Sequence, residues 1–285
     1  GLSSCFIKEM QKYRQVLKYP GSKWGLARKL IELIPEHRTY CEPYAGSMAM
    51  LFSKEPSAIE VVNDMDSEVV NLFQCIQQDA ERLARLLLTT PYSREIYDQQ
   101  FSPEHGYASR YQRAAGFLIR CWQGHGFRQT GVKVGWKNDV HGRERMYALW
   151  NWYRLPEWVV EVAERLRMVQ IENRPALEVI ERFDFDNVFM YLDPPYLFET
   201  RRAQQYAHEM SDTDHKELLQ VITHSRAKIM ISGYASDMYE DFLKDWTRME
   251  FRGTAEHGGT RQEVVWMNYR PEKDGQMCVE DFLHD

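Results

Sequence analysis

At 285 residues, 44% of them hydrophobic and 27% charged, the chain can bury a real core as one large domain or two modest ones. No stretch approaches the run of about eighteen apolar residues that crosses a membrane, and the start, Gly1-Leu2-Ser3-Ser4-Cys5, lacks the basic and apolar stretches of a secretion signal. Five scattered cysteines with no C-x-x-C, and nine histidines without ligand spacing, argue against a disulfide framework or a metal site and for a cytoplasmic protein with reduced thiols.

In chain order, Val16 to Lys18 reads as a short strand ending in Tyr19-Pro20-Gly21. Ser22 can cap a helix to Ile34, which Pro35 stops. Thr39 to Glu42 is a strand, followed by Pro43-Tyr44-Ala45-Gly46-Ser47 and a short helix through Phe52. Ala58 to Asn63 is the next strand. Asp64-Met65-Asp66 closes it, and Ser67 can cap a helix through about Gln78. The pattern then changes. Asp79 to Arg167 has helical spacing, one hairpin-like stretch at Phe127 to Lys137 turning at Gly131, and five of the eight tryptophans. Those tryptophans (Trp122, Trp136, Trp150, Trp152, Trp158) read as core rather than as base-stacking surface. Alternation resumes with a strand at Val188 to Leu192, a helix from Ser211 and Asp212 to Ser225, a strand at Lys228 to Ser232, a helix at Ser236 to Lys244 and a last strand at Glu263 to Tyr269.

Strands alternating with helices predict an α/β sheet covered on both faces. The expected division is 1–78 and 168–285 as two parts of one α/β domain, with 79–167 as a mostly helical insert. Ligands on such sheets bind at the carboxyl ends of the strands, near the point where strand order reverses. This reading places Glu42, Asp64 and Asp193 there.

The chemistry concentrates in Asp193-Pro194-Pro195-Tyr196, after the apolar run Asn187 to Leu192. Two prolines remove backbone donors and stiffen the turn, leaving a carboxylate and a carbonyl as acceptors beside an aromatic ring. A planar amine such as that of adenine suits this array. The Glu42 to Ser47 loop is made of small residues that let a ligand approach the backbone, and Asp64 follows at the spacing of an acid that grips ribose hydroxyls. The loop is not G-x-G-x-x-G, so a phosphate-free adenosine with a positive centre, S-adenosylmethionine, fits better than a dinucleotide. Ordinary alternatives exist: a plain turn at 193–196, a helix cap at Asp64, and Glu42 pairing with Lys23.

Net charge is −6, yet from His105 to Asn138 there are six Arg or Lys and no acid. Such a run is either a solvated helix face or a local footprint for phosphates. Arg120, Arg128, Lys133 and Lys137 are the candidate DNA contacts. Arg201 and Arg202, in the polar stretch Leu197 to Met210, belong to a loop expected to order near DNA.

Tyr19-Pro20-Gly21-Ser22-Lys23, Cys41-Glu42-Pro43-Tyr44-Ala45-Gly46-Ser47, Asn63-Asp64-Met65-Asp66 and Asp193-Pro194-Pro195-Tyr196 occur in that order. Together they resemble the DNA adenine-N6 methyltransferases of the DNA adenine methylase group. Tyr206 to Met210, Asp214-His215, Ser232-Gly233-Tyr234 and Arg261 to Tyr269 resemble its phage and prophage branch. The resemblance covers both α/β blocks. It implies a Rossmann-like class I methyltransferase sheet with an inserted target-recognition domain, S-adenosylmethionine as cofactor, and double-stranded DNA as partner. It implies a bacterial, phage or prophage setting; no metal and no membrane are expected from the sequence, and a monomer is the default.

Residue by residue, the resemblance implies that Tyr19, Pro20, Gly21 and Lys23 close over the methionine end of the cofactor. Glu42, Pro43, Ala45, Gly46 and Ser47 form its main loop. Asp64 takes the ribose hydroxyls, Met65 lies against the adenine, and Asn173 to Ala176 flank it. Asp193, also a cofactor neighbour, and the Pro194 carbonyl bind the target N6 and localise its lone pair. Pro195 stiffens the turn, and Tyr196 stacks on the base. An adenine inside a duplex cannot reach such a pocket and must flip out. The segment Trp122 to Arg128 departs from the better-known members, so no recognition sequence is carried over. Adenine in RNA, glutamine in a protein, and a non-catalytic DNA-binding relative are the rival readings.

Overall fold

The computed structural model describes residues 12–102, 104–126, 132–138, 147–196, 209–254 and 260–272. Seven strands, β1 (Thr39–Glu42), β2 (Ile59–Asn63), β3 (Val169–Glu172), β4 (Val188–Leu192), β5 (Lys228–Gly233), β6 (Thr247–Thr254) and β7 (Thr260–Met267), form one sheet in the order β3-β2-β1-β4-β5-β7-β6. The first five run parallel to their neighbours; β7 is antiparallel to both β5 and β6. This is the Rossmann-like sheet expected of a class I methyltransferase. Chain order reverses between β1 and β4, which pair Thr39 with Val188 and Cys41 with Met190.

Every residue of β1 and β4 is buried, as parallel strands covered on both faces must be. Alternation sorts their side chains into two cores. Tyr40, Phe189 and Tyr191 join one with Leu72, Phe73, Leu118 and Leu155. Cys41, Met190 and Leu192 join the other with Ile180, Leu218 and Tyr239. The first face carries α1 (Trp24–Ile31), α2 (Ala49–Ser53), α3 (Ser67–Leu88), α5 (Arg110–Gln123) and α6 (Tyr147–Leu166), and the second α7 (Ala176–Arg182), α8 (Asp212–Ile222) and α9 (Asp237–Phe242). The short α4 (Arg94–Gln99) precedes α5.

Several local expectations shift. Val16 and Leu17 are fully buried but form no strand; the Val16 carbonyl accepts from Trp122 Nε1 at 2.7 Å. Burial there comes from side-chain packing rather than a ladder. Lys23, not Ser22, sits at the start of α1, and the Ser22 hydroxyl bonds Ser47 Oγ at 2.9 Å instead. The helix ends at Ile31, short of Ile34. Asp66 rather than Ser67 caps α3, accepting from the Glu68 amide at 2.9 Å. That helix continues to Leu88 across a kink at Asp79 (φ −158°, ψ 80°), where the sequence pattern changes. Beyond the kink α5 and α6 pack on α3, so one core runs from the sheet into the 79–167 segment.

Trp122 and Trp152 are buried and Trp136 and Trp158 pack against the core, whereas Trp150 is 56% exposed. The hairpin-like stretch closes by a single antiparallel bridge, Gly124 to Trp136, and its turn at Gly131 lies outside the described residues. Among the described residues, no helix is long and apolar enough to cross a membrane and no group of His, Cys, Asp and Glu could hold a metal ion. Cys41, Cys75 and Cys121 are buried free thiols.

Candidate active site

A cavity of about 520 Å³ opens at the carboxyl ends of β1, β2 and β4, within the range of about 300–1,000 Å³ that holds small ligands. Tyr19, Pro20, Gly21, Lys23, Glu42, Pro43, Ala45, Gly46, Ser47, Asp64, Met65, Asp193 and Pro195 line it, so the structure brings the expected cofactor residues together. Pro175 and Ala176, from the 173–176 segment, also line it, with Leu177. Tyr44, Tyr191, Met210, Asp214 and Glu217 line it too; the sequence reading assigned them no cofactor role, although Tyr44, Met210 and Asp214 fall inside the matched motifs.

The loop after β1 is held from beneath. Gly46 has φ +49°, and a Cβ there would come 3.1 Å from Tyr19 Cδ1, so a side chain would meet both strain and the ring. Its amide donates to Asp64 Oδ2 at 2.9 Å, and the Asp66 amide donates to Asp64 Oδ1 at 2.9 Å. Asp64 therefore orders the loop as well as facing the cavity. Burial, only partly offset by these amides, pushes its carboxyl up to about 7. Asn63 is a further organiser that the sequence did not single out. Its amide donates to the Pro43 and Arg174 carbonyls (3.0 and 2.9 Å) and accepts from the Arg174 amide (2.9 Å). Asn173 donates to the Asp64 carbonyl at 2.8 Å. The loops after β1, β2 and β3 are thus tied into one wall.

Glu42 does not pair with Lys23. It accepts from the Tyr40 hydroxyl, and burial raises its carboxyl to about 7. Lys23 lies instead 3.2 Å from Asp193 Oδ1 and 3.9 Å from Glu263 Oε1, and donates to the Gly21 carbonyl at 2.6 Å. Burial opposes its charge, but Asp193 and Glu263 outweigh that and hold it above the ordinary lysine value. Burial likewise pushes Asp193 up to about 6 despite Lys23. Pro194 and Tyr196 are buried behind the cavity wall. Tyr196 donates to Glu263 Oε2 at 2.6 Å, its ring lies 4.6 Å from Lys23 Nζ, and it meets Tyr234 edge-on at 4.5 Å. Glu263, on β7, belongs to the Arg261–Tyr269 run of the resemblance, and the sequence reading assigned it no role at the site.

Among the described residues, the basic run is not uniformly free charge. Lys133 pairs with Asp98 at 2.7 Å, and Arg113 with Glu68 at 2.8 Å. Arg120 is half-buried over Phe117, its Nε without a hydrogen-bond partner among the described residues. Lys137 lies beside Lys18, which sits over Trp122 at 4.6 Å; burial and the neighbouring charge bring Lys18 down to about 8. Arg128, Arg201 and Arg202 lie outside the described residues.

The strand order, with an acid at the end of each of β1, β2 and β4, defines the S-adenosylmethionine-dependent methyltransferase class. The cavity suits that cofactor: small residues at its loop, three carboxylates from the strand ends, and Lys23 as the one cation among its described lining residues. Within this class the chain belongs to the D12 class of N6 adenine-specific DNA methyltransferases, whose family pattern matches residues 19–255. It is 26% identical over 281 residues to the type II methyltransferase M1.LlaDCHI of Lactococcus lactis subsp. cremoris, covering 90% of this chain and 95% of that protein. It is 23% identical over 258 residues to the DNA N-6-adenine-methyltransferase of Escherichia phage P1, covering 81% of this chain but only 31% of that longer protein. A solved methyltransferase from Agrobacterium tumefaciens overlaps with a TM-score of 0.34 at 9% identity, over 86% of this chain and 61% of that one.

Proposed function

We propose that the cavity binds S-adenosylmethionine between the loops after β1, β2 and β3, and that Asp193 and Pro194 receive the N6 group of an adenine flipped from double-stranded DNA. The observation that carries this reading is the turn at the end of β4, whose Asp193 and Pro195 line the same cavity as Gly46 and Asp64. The cofactor supplies a methyl group on a positively charged sulfur. The residues do the rest. Asp64 holds the ribose hydroxyls with the lone pairs its two amides leave free, and Met65 and Pro175 bracket the adenosine ring. Asp193 and the Pro194 carbonyl accept the two N6 hydrogens, which localises a lone pair otherwise conjugated into the ring. Orientation and fixed charge lower the barrier. The new N–C bond forms as the sulfur keeps the electrons of the bond that breaks, and one N6 proton leaves by way of Asp193 to water.

The 79–167 segment serves as the DNA-reading part, with Arg120, Lys133, Lys137 and, outside the described residues, Arg128, Arg201 and Arg202 near phosphates or bases. The bacterial and phage origins of the relatives support a cytoplasmic setting. Purified protein with tritium-labelled cofactor and equal amounts of unmethylated DNA, RNA or peptide tests the assignment. Label in N6-methyladenine of DNA is expected; label only in RNA or peptide overturns it.

A further inference from the structure

Lys23 sits against the groups assigned above to the target amine. Its ammonium is 3.2 Å from the Asp193 carboxylate and 4.6 Å from the Tyr196 ring centre, so it engages both the acceptor and the ring assigned to the base. Glu263 lies on its other side. One oxygen is 3.9 Å from Lys23 Nζ, too long for a tight pair, while the other accepts from the Tyr196 hydroxyl at 2.6 Å. The lysine therefore stands between two carboxylates and is fully engaged with one.

We propose that Lys23 and Glu263 form a displaceable latch: Lys23 holds the target-base subsite until the adenine arrives, then moves onto Glu263, which is a positioning residue for the transfer. The proposal rests on the reading of Asp193 as the N6 acceptor. Physical bookkeeping favours it. A lysine displaced from Asp193 with no second carboxylate would be a buried unpaired charge, which is costly, and Glu263, already 3.9 Å away, supplies that second carboxylate. Because Glu263 also anchors the Tyr196 hydroxyl, the ring stays in place while the lysine leaves its face.

Glu263→Gln separates the two duties. The amide oxygen can still accept from Tyr196, but the charge that receives Lys23 is gone. At least a tenfold fall in single-turnover transfer to DNA is expected, with cofactor affinity by calorimetry unchanged within twofold. The pH profile adds a readout that a merely structural role would not move. Asp193 is faced by Lys23 from the start of α1, Glu263 from β7, Tyr191 from β4, Tyr239 from α9, and Tyr196 in its own turn, while Tyr234 after β5 faces Lys23. Removing the negative Glu263 lets Asp193 ionise at lower pH, so the acid limb of the variant should shift downward. In a Lys23→Gln background the Glu263→Gln penalty should shrink below twofold, since there is no lysine to receive. A normal transfer rate in Glu263→Gln, or a slower rate with an unmoved acid limb, overturns the latch. If the wild-type protein labels no adenine, the assignment of the acceptor fails instead.

Discussion

The rim of the sheet and the 79–167 segment handle charge in opposite ways. At the rim, Asp64 and Asp193 sit at strand ends, and neighbours from adjoining loops and strands hold them facing one cavity. In the 79–167 segment, two cations of the acid-free run meet acids outside it, Arg113 with Glu68 on α3 and Lys133 with Asp98 on α4. The contrast teaches that a short motif at a strand's end survives folding as a site, because the strand fixes its direction. A run of like charges keeps its sign less surely, because long side chains can find partners across elements, as Arg113 and Lys133 do.

The joint between the sheet and the 79–167 segment is a further place to test the pairing of charges. Glu60 on β2 accepts both arms of Arg165 from α6, at 2.5 and 2.8 Å, and Lys54 at 2.7 Å, all buried. Glu60→Gln leaves two buried cations short of a partner. It should cost about 3–5 kcal/mol in urea unfolding, lowering the transition of sheet and helices together; a loss below about 1 kcal/mol would show the pairs to be solvated.

A smaller effect is expected at the rim itself. Asn63→Ala removes three hydrogen bonds that tie the β1, β2 and β3 loops. It should cost about 1–3 kcal/mol of stability and weaken cofactor binding by calorimetry, while unchanged affinity would mean that the wall does not shape the pocket. The smallest effect concerns the lysines. Lys137→Ala should reduce the slope of log affinity for DNA against log salt by about 0.9. Lys133→Ala, already paired with Asp98, should change it less; equal changes would erase the distinction between paired and available cations.

Most of the sheet was legible in the sequence. β1, β2, β4 and β5 are apolar runs closed by turn residues, and their order places Glu42, Asp64 and Asp193 on one rim. The strands β3 and β6 escaped notice because they are edges, where half the residues face solvent and polar letters interrupt the run. The partnerships of Lys23 were not legible either. They join α1, the turn after β4 and the antiparallel β7, and no local spacing encodes a contact between segments so far apart. Tyr196 shows the same limit: its place in the turn was readable, but the lysine over its ring and the carboxylate on its hydroxyl were not.

The central claim is that Asp193 receives the amine that is methylated. Single-turnover transfer of tritium from S-adenosylmethionine to unmethylated DNA, compared between the wild-type protein and Asp193→Ala, tests it most directly. The account predicts a loss of about 10³-fold, with an intact thermal unfolding transition and cofactor binding retained. Transfer at a near-normal rate by the folded variant would contradict it.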